Sequence, residues 1–260
     1  MTFRDLRCKA MKEQELCKKR LVDLSNQADR RGIVTFSDFL NLNEQNIYHI
    51  SEREFCTQAR LYGGYDGAER QMVAFIPDAL CYEWEFPICC IMAEPKYKKY
   101  AEKLTHRDIL GALMHLGIDR GRIGDIVCKD QSYYIFCEET IQPFILENLS
   151  KIRNTVMSLS ILENTGSIEV QPEFEERLDM IASNRIDCII AKAYHFSRSE
   201  AAEYLGSEKV FINGKCITNC NQSCENGAII SVRGKGRFIF ETDQTFSKKG
   251  KLRVTFKIYK

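Results

Sequence analysis

Apolar residues in the first fifty positions recur near helical spacing. Leu6, Met11, Leu16, Leu21 and Leu24 alternate with Lys and Glu, which predicts helices across residues 1–50. Gly32 interrupts the run, and residues 35–39 begin another short element. From about residue 58 the rhythm shortens. Residues 59–62 and 71–75 read as two strands flanking Gly63-Gly64-Tyr65-Asp66-Gly67-Ala68-Glu69. Residues 86–92 form an apolar run of strand length. Thr105-His106-Arg107-Asp108 opens a helix through Ile109, Leu110, Leu113 and Met114 that Gly117 ends, with Thr105 and Asp108 spaced as a capping-box variant. Residues 123–129 and 132–137 alternate as a strand pair around Asp130-Gln131. Residues 141–152 return to helix, with Pro143 tolerated in its first turn, and 155–162 close as a strand. The order β-α-β-β-α-β is that of a ferredoxin-like or RNA-recognition-type sheet. Tyr133, Tyr134 and Phe136 read first as core residues and second as base-stacking ones, because the Lys/Arg-Gly-Phe-Gly-Phe consensus is missing.

Residues 163–184 carry Gly166, Pro172 and the acidic run Glu173-Phe174-Glu175-Glu176. They read as a connector, with strand pairing of Ile168 and Val170 as the alternative. Beyond it, Ile186, Ile189, Ile190 and Ala193 make the packing face of one helix. Ser197-Arg198-Ser199-Glu200 is a capping box that starts a second helix through Ala201, Ala202, Tyr204 and Leu205. Two helices meeting at a tight turn leave the second N-terminus facing outward, where free amides and the macrodipole favour phosphate. Residues 210–212 predict a strand turning at Asn213-Gly214, with Lys215 following. Residues 227–232 run into Arg233-Gly234-Lys235-Gly236-Arg237, whose glycines would let the backbone approach a phosphate closely. The fold class is therefore α+β. A helical N-terminal region with a β-hairpin spans 1–83, an RRM-like domain 84–165, a connector 166–182, and a C-terminal module with a basic tail 183–260.

Composition narrows the class. A chain of 260 residues with 44% hydrophobic and 28% charged residues is globular, with room for two or three domains. No apolar run approaches the roughly 18 residues of a membrane span. The positive N-terminus has no apolar core behind it, so it is not a secretory signal, and the expected location is cytoplasmic with no membrane partner. Twelve cysteines lie scattered without a C-x-x-C pair, which predicts mostly small buried hydrophobes. Cys216, Cys220 and Cys224 are evenly spaced but lack knuckle spacing and a nearby histidine, so neither a metal nor a cofactor is expected. A net charge of +1 hides an asymmetry. Residues 231–260 hold nine Lys/Arg against two acids, +7 locally, and leave −6 to the rest. Such segregation attracts a polyanion to one region.

These cations define the candidate site. Arg198, Lys215, Arg233, Lys235 and Arg237 are expected phosphate contacts, joined by Lys209, Lys248 and Lys249, with Ser197 at the helix cap. Arg185 divides between RNA contact and a structural pair with Asp187, and Asn213 reads as a turn residue before a base reader. Arg60 and Arg70 bracket the glycine-rich stretch, which is a hairpin loop first and an RNA-contact loop second. His106 and Arg107 are surface groups at a helix start, and second an RNA contact. No G-x-S-x-G, H-E-x-x-H or Walker lysine is present, and no catalytic residue is expected. Two alternatives stay open. One is an RNA-modifying enzyme using Arg185-x-Asp187 in the manner of pseudouridine synthases; the other is a protein–protein adaptor with a basic tail.

The segment containing Arg185-x-Asp187, Ser197-Arg198-x-x-Ala201 and Val210-x-x-Asn213-Gly214-Lys215 resembles the α-L RNA-binding motif. That motif is shared by a small-subunit ribosomal protein, tyrosyl-tRNA synthetases and pseudouridine synthases. Three further stretches resemble the bacterial YlmH-type RNA-binding proteins. They are Gly63-Gly64-Tyr65-Asp66-Gly67-Ala68-Glu69-Arg70, Leu104-Thr105-His106-Arg107-Asp108-Ile109-Leu110-Gly111-Ala112-Leu113 and Val232-Arg233-Gly234-Lys235-Gly236-Arg237-Phe238. Glu208 stands where the family has glycine, and Ala228 where it has aspartate. The resemblance implies an α-L domain at 183–260 and non-catalytic binding of structured RNA. It further implies rRNA of the large ribosomal subunit with tRNA or peptidyl-tRNA, in translation or ribosome-associated quality control, by a chain that is monomeric when free.

Overall fold

The amphipathic N-terminal run forms one long helix, α1 (Phe3–Arg31), which Gly32 ends at φ +62°. This computed structural model describes residues 3–162, 174–247 and 250–259. The chain divides into two units, Met1–Gln171 and Pro172–Lys260.

In the first unit α1 is followed by β1 (Thr35–Phe36), α2 (Leu42–Ser51), β2 (Gln58–Tyr62) and β3 (Met72–Ile76). An Asn41/Glu44 capping box starts α2. The strands make an antiparallel sheet in the order β1-β3-β2, and Val73 and Phe75 bury one face against Leu21, Ala28 and Tyr48. A second sheet takes β4 (Ile88–Pro95), β5 (Ile123–Lys129), β6 (Ser132–Glu138), β7 (Lys151–Ile152) and β8 (Thr155–Leu162) in the order β5-β6-β4-β8-β7, antiparallel throughout. Helices α3 (His106–His115) and α4 (Gln142–Asn148) cover one face, where Ile109, Leu113 and Ile145 meet Ile91, Tyr133 and Ile135. The Thr105 amide donates to the Asp108 carboxylate at 2.8 Å, closing the expected cap of α3. The helix expected over 141–152 stops at Asn148. Leu149 leaves helical dihedrals (φ −88°, ψ 70°), and buried Ile152 joins the sheet edge through a turn at Arg153 (φ +52°).

The second unit is a six-stranded antiparallel sheet with two helices on one face. Its elements are β9 (Phe174–Ile181), α5 (Ile186–Tyr194), α6 (Arg198–Gly206), β10 (Val210–Ile212), β11 (Lys215–Cys216), β12 (Ala228–Val232), β13 (Gly236–Glu241) and β14 (Leu252–Tyr259). The strand order is β11-β10-β12-β13-β14-β9. Ile186, Ile189 and Ile190 of α5 and Leu205 of α6 pack on Ile230, Phe238, Phe240 and Phe256. The stretch read as a connector contains β9, which pairs with β14 over its whole length. Its alternation was hidden by charge. Arg177, Asp179 and Ile181 share the helix-covered side, whereas Glu176, Leu178 and Met180 face away, as suits an edge strand. Ile168 and Val170 lie outside the described residues.

The molecule is thus mixed α+β. Among the described residues no helix is long and apolar enough to cross a membrane, and no group of His, Cys, Asp and Glu is arranged to hold a metal ion. The cysteines differ from expectation. Cys90, Cys137 and Cys224 are buried, but Cys56, Cys81 and Cys128 are exposed.

Candidate nucleic-acid interface

The corner between α5 and α6 is held from below by β9. His195 ends α5 in the left-handed region (φ +57°), and the Arg177 guanidinium donates to the last carbonyls of α5, Lys192 O at 3.1 Å and Ala193 O at 2.6 Å. A cation on those carbonyls also opposes the negative end of the helix dipole. Phe196, Ser197 and Arg198 leave this corner in a defined direction. The capping box is present: the Ser197 amide donates to Glu200 Oε2 at 2.7 Å, and the Glu200 amide to Ser197 Oγ at 3.2 Å. This corrects the expectation of a helix end open to an anion, because α6 supplies its own carboxylate there. Hydrogen bonds from Ser197 hold Glu200 below the usual carboxylate range, with Lys235 adding to the effect. Phosphate affinity must come from the side chains around the cap.

Those side chains sit on an aromatic surface. Phe196 stacks on Tyr204 with ring centroids 4.7 Å apart and planes at 17°, and Tyr194 lies 5.6 Å from Phe196. Lys235 Nζ is 5.3 Å from the Phe196 ring, and Lys209 Nζ is 5.4 Å from the Tyr204 ring. Two contacts dock the β12–β13 turn at this place: Tyr194 Oη donates to Gly236 O at 3.0 Å, and the Arg233 amide to Lys209 O at 2.9 Å. Gly234 and Gly236 both have positive φ (+78° and +105°), so the alternating glycines form the turn that lifts Lys235 toward Phe196. Arg198, Lys209, Lys215 and Lys235 are exposed, and none has an acidic partner within ion-pair distance among the described residues.

Other expected contacts separate from this cluster. Arg237 is half-buried on the opposite face of the sheet, since its neighbour Phe238 belongs to the helix-covered core; its guanidinium lies 4.0 Å from the Tyr259 ring. The Arg233 guanidinium lies 5.3 Å from the Phe211 ring. Arg185 makes a bidentate pair with Asp187, at 3.0 and 2.6 Å. Asn213 (φ +48°) and Gly214 (φ +81°) make the expected hairpin turn, and Asn213 Oδ1 accepts from the Ile229 amide at 2.9 Å. Lys248 and Lys249 lie outside the described residues. Phe196 and Tyr204 were not singled out as site residues; the alternation Tyr194-x-Phe196-x-Arg198 was the available signal.

The first unit disposes of its candidates differently. Tyr65 packs on Phe136 at 4.8 Å, and a Cβ on Gly64 (φ +97°) would fall 2.4 Å from the Phe136 ring. The glycine-rich loop is therefore clamped onto the sheet. Asp125 completes the clamp, accepting from Tyr65 Oη (2.7 Å), the Glu69 amide (2.7 Å) and the Arg70 amide (3.1 Å). Arg70 spends its guanidinium on the carbonyls of Phe39, Arg120 and Ile123, so it is built as an internal brace and not as a phosphate contact. Arg120 likewise donates to Ile123 and Gly124 carbonyls, and burial beside Arg70 lowers its pKa to about 10. Tyr133, Tyr134 and Phe136 are buried, which leaves the core reading. Arg60, His106 and Arg107 are on the surface, and partial desolvation, with Arg120 and Arg107 nearby, holds His106 below its usual pKa.

Residues 83–165 match the family described as "Putative RNA-binding domain in YlmH". Over 224 residues the chain is 27% identical to "Ribosome-associated protein quality control protein P2" of Bacillus subtilis (strain 168), covering 85% of both chains. Among solved structures it is similar to "Cell division protein ylmH from Streptococcus pneumoniae", with a TM-score of 0.48 and 20% identity over 58% of this chain and 91% of that one. The 27% identity over 224 residues extends the resemblance beyond the motifs that carry it.

Proposed function

We propose, from the premise that this is a YlmH-type chain, that it binds structured RNA without catalysing a reaction. Its target in this reading is rRNA of the large ribosomal subunit together with tRNA or peptidyl-tRNA, in cytoplasmic ribosome-associated quality control. The name of the Bacillus subtilis relative supports the ribosomal setting. The observation that carries the reading is the set of unpaired cations, Arg198, Lys209 and Lys235, arranged around the stacked Phe196–Tyr204 pair. Cations without acids remain available for phosphate, which supplies most of the affinity in such interfaces.

The finer architecture follows the same reading. The order β5-β6-β4-β8, with a helix after β4 and another after β6, supports a ferredoxin-like reading of this sheet. We take the α5–α6 corner with the β10–β11 hairpin as the α-L module. The Arg185–Asp187 pair supports a binding role. A catalytic aspartate would have to face substrate, whereas both Asp187 oxygens accept from Arg185 and one also accepts from the Cys188 amide.

Sucrose-gradient sedimentation of tagged protein from native lysate tests the proposal. Wild type should travel with large subunits, and Arg198→Glu with Lys235→Glu should remain at the top while staying folded by circular dichroism. Wild type that stays in the light fractions even at low salt would sink the ribosomal reading.

A further inference from the structure

We infer that a groove beside α5 in the second unit receives a single unpaired RNA nucleotide, so that the chain prefers RNA with an extruded base over continuous duplex. The inference rests on the RNA-binding reading and adds to it a selectivity that backbone contacts alone would lack.

The groove has a volume of about 270 Å³ and is lined by Ile181, Cys188, Ala191, Phe196, Arg198 and Lys251, among others. That lies just below the roughly 300–1,000 Å³ of small-molecule sites, a size for one flat ring system and not for a stack of several. Its wall mixes charged and apolar side chains in about equal measure, with Phe196 as the aromatic member. Charge at the groove is set by pairing. Asp187 is answered by Arg185, and Asp179 by Lys192 at 3.0 Å. Arg198 and Lys251 have no acidic partner among the described residues, so two positive charges remain at the groove beside the Phe196 ring. An aromatic wall with free cations at its side suits a base with its phosphate.

Ordinary duplex is the poorer occupant. A paired base is stacked on both faces and would have to leave its stack to reach the groove. A bulged or looped base has already lost those partners, so the cost of bringing it in is least there. Phe196 also belongs to the Phe196–Tyr204 stack that carries Lys235 and Lys209. The same ring can thus join a base in the groove to a backbone lying across the lysines.

Fluorescence anisotropy of the full chain with three labelled hairpin RNAs tests this. One RNA is fully paired, one carries a single bulged nucleotide, and one carries an abasic bulge. Wild type should bind the bulged RNA about 10-fold more tightly than either of the others, a factor in the range that base–aromatic stacking supplies. Phe196→Leu should bring the bulged, abasic and paired RNAs to the same affinity, abolishing the preference. Lys251→Ala should weaken binding to the bulged RNA and lower its salt slope by about one. The abasic RNA leaves the protein unaltered, so it separates loss of stacking from misfolding. Equal binding of all three RNAs, or a preference that survives Phe196→Leu, overturns the inference while leaving RNA binding in place. No binding to any of them, together with no sedimentation on ribosomal particles, overturns the RNA-binding reading as well.

Discussion

Two regions of this chain use the same residue types for opposite ends. In the first unit Tyr65, Phe136, Arg70 and Arg120 surround the Asp125 clamp. The rings are buried against each other, and the guanidinium groups are turned onto carbonyls of the chain itself. In the second unit Phe196 and Tyr204 are only half-buried, and Arg198, Lys209 and Lys235 keep their donors free of acids. A cation bound to backbone carbonyls has already lost much of its water and gained its partners, so it holds the fold. A solvated cation beside an aromatic face has gained little from folding and retains its capacity for phosphate. The difference lies in where the donors end.

The largest effects that would break this comparison fall in the first unit. Phe136→Ala removes a fully buried ring and should cost about 3–5 kcal/mol. Phe196→Leu should cost less than about 1.5 kcal/mol, because the ring is only half-buried and leucine retains apolar contact. Urea unfolding, followed by circular dichroism for both variants, measures the contrast. Trp84, the chain's single tryptophan, adds a probe confined to the first unit. Comparable losses at the two positions would remove the distinction between core and surface rings.

Gly64→Ala comes next. The added Cβ meets Phe136 at 2.4 Å, and the residue would have to hold φ +97°. Left-handed strain and overpacking together predict a loss of about 2–3 kcal/mol, read as a lower urea midpoint by Trp84 fluorescence. RNA affinity of the fraction that stays folded should be unchanged. A Gly64→Ala protein of normal stability but weakened RNA binding would return the loop to the interface.

Lys235→Ala with Lys209→Ala reverses the pattern. Each substitution removes a cation without an acidic partner, so stability should change by less than about 0.5 kcal/mol. Affinity for structured RNA should fall about 10-fold, with the salt slope reduced by about one per lysine. Arg70→Met should do the opposite, lowering stability while leaving the salt slope alone. Titration of RNA binding at several salt concentrations decides the matter.

Sequence reasoning reached the elements with local signatures. The Asn213-Gly214 turn, the capping boxes at Thr105 and Ser197, and the hairpin around Asp130-Gln131 all depend on residues a few positions apart. Strand β9 escaped because its partner β14 lies some seventy residues later and its own alternation interleaves acids with Leu178 and Met180. Over 141–152 the apolar spacing is compatible with helix throughout, and only the pairing of β7 with β8 ends it. The site shows the same limit. Arg70 and Lys235 both stand beside glycines in a basic, aromatic context. What separates them is the presence of the Phe39, Arg120 and Ile123 carbonyls around Arg70, a tertiary fact without a trace in spacing.

The smallest expected effect concerns the acid inside the basic surface. Glu200 closes the cap of α6, and hydrogen bonds from Ser197 depress its pKa in the folded chain below the ordinary 4.5. The folded state therefore prefers the ionised form, and the stability this contributes is fully present above pH 4.5. It is lost as pH falls through the lower, folded-state value. In Glu200→Gln the cap can persist through the amide oxygen, but that portion of the acid dependence should vanish. Thermal melts between pH 3 and 6 should thus decline less steeply for Glu200→Gln than for wild type. At neutral pH the same substitution removes a negative charge close to Lys235, so RNA should bind slightly more tightly even though the helix cap is weaker. A variant that loses both cap stability and RNA affinity would place Glu200 among the groups that orient the interface, and would show that the α6 cap does more than close a helix.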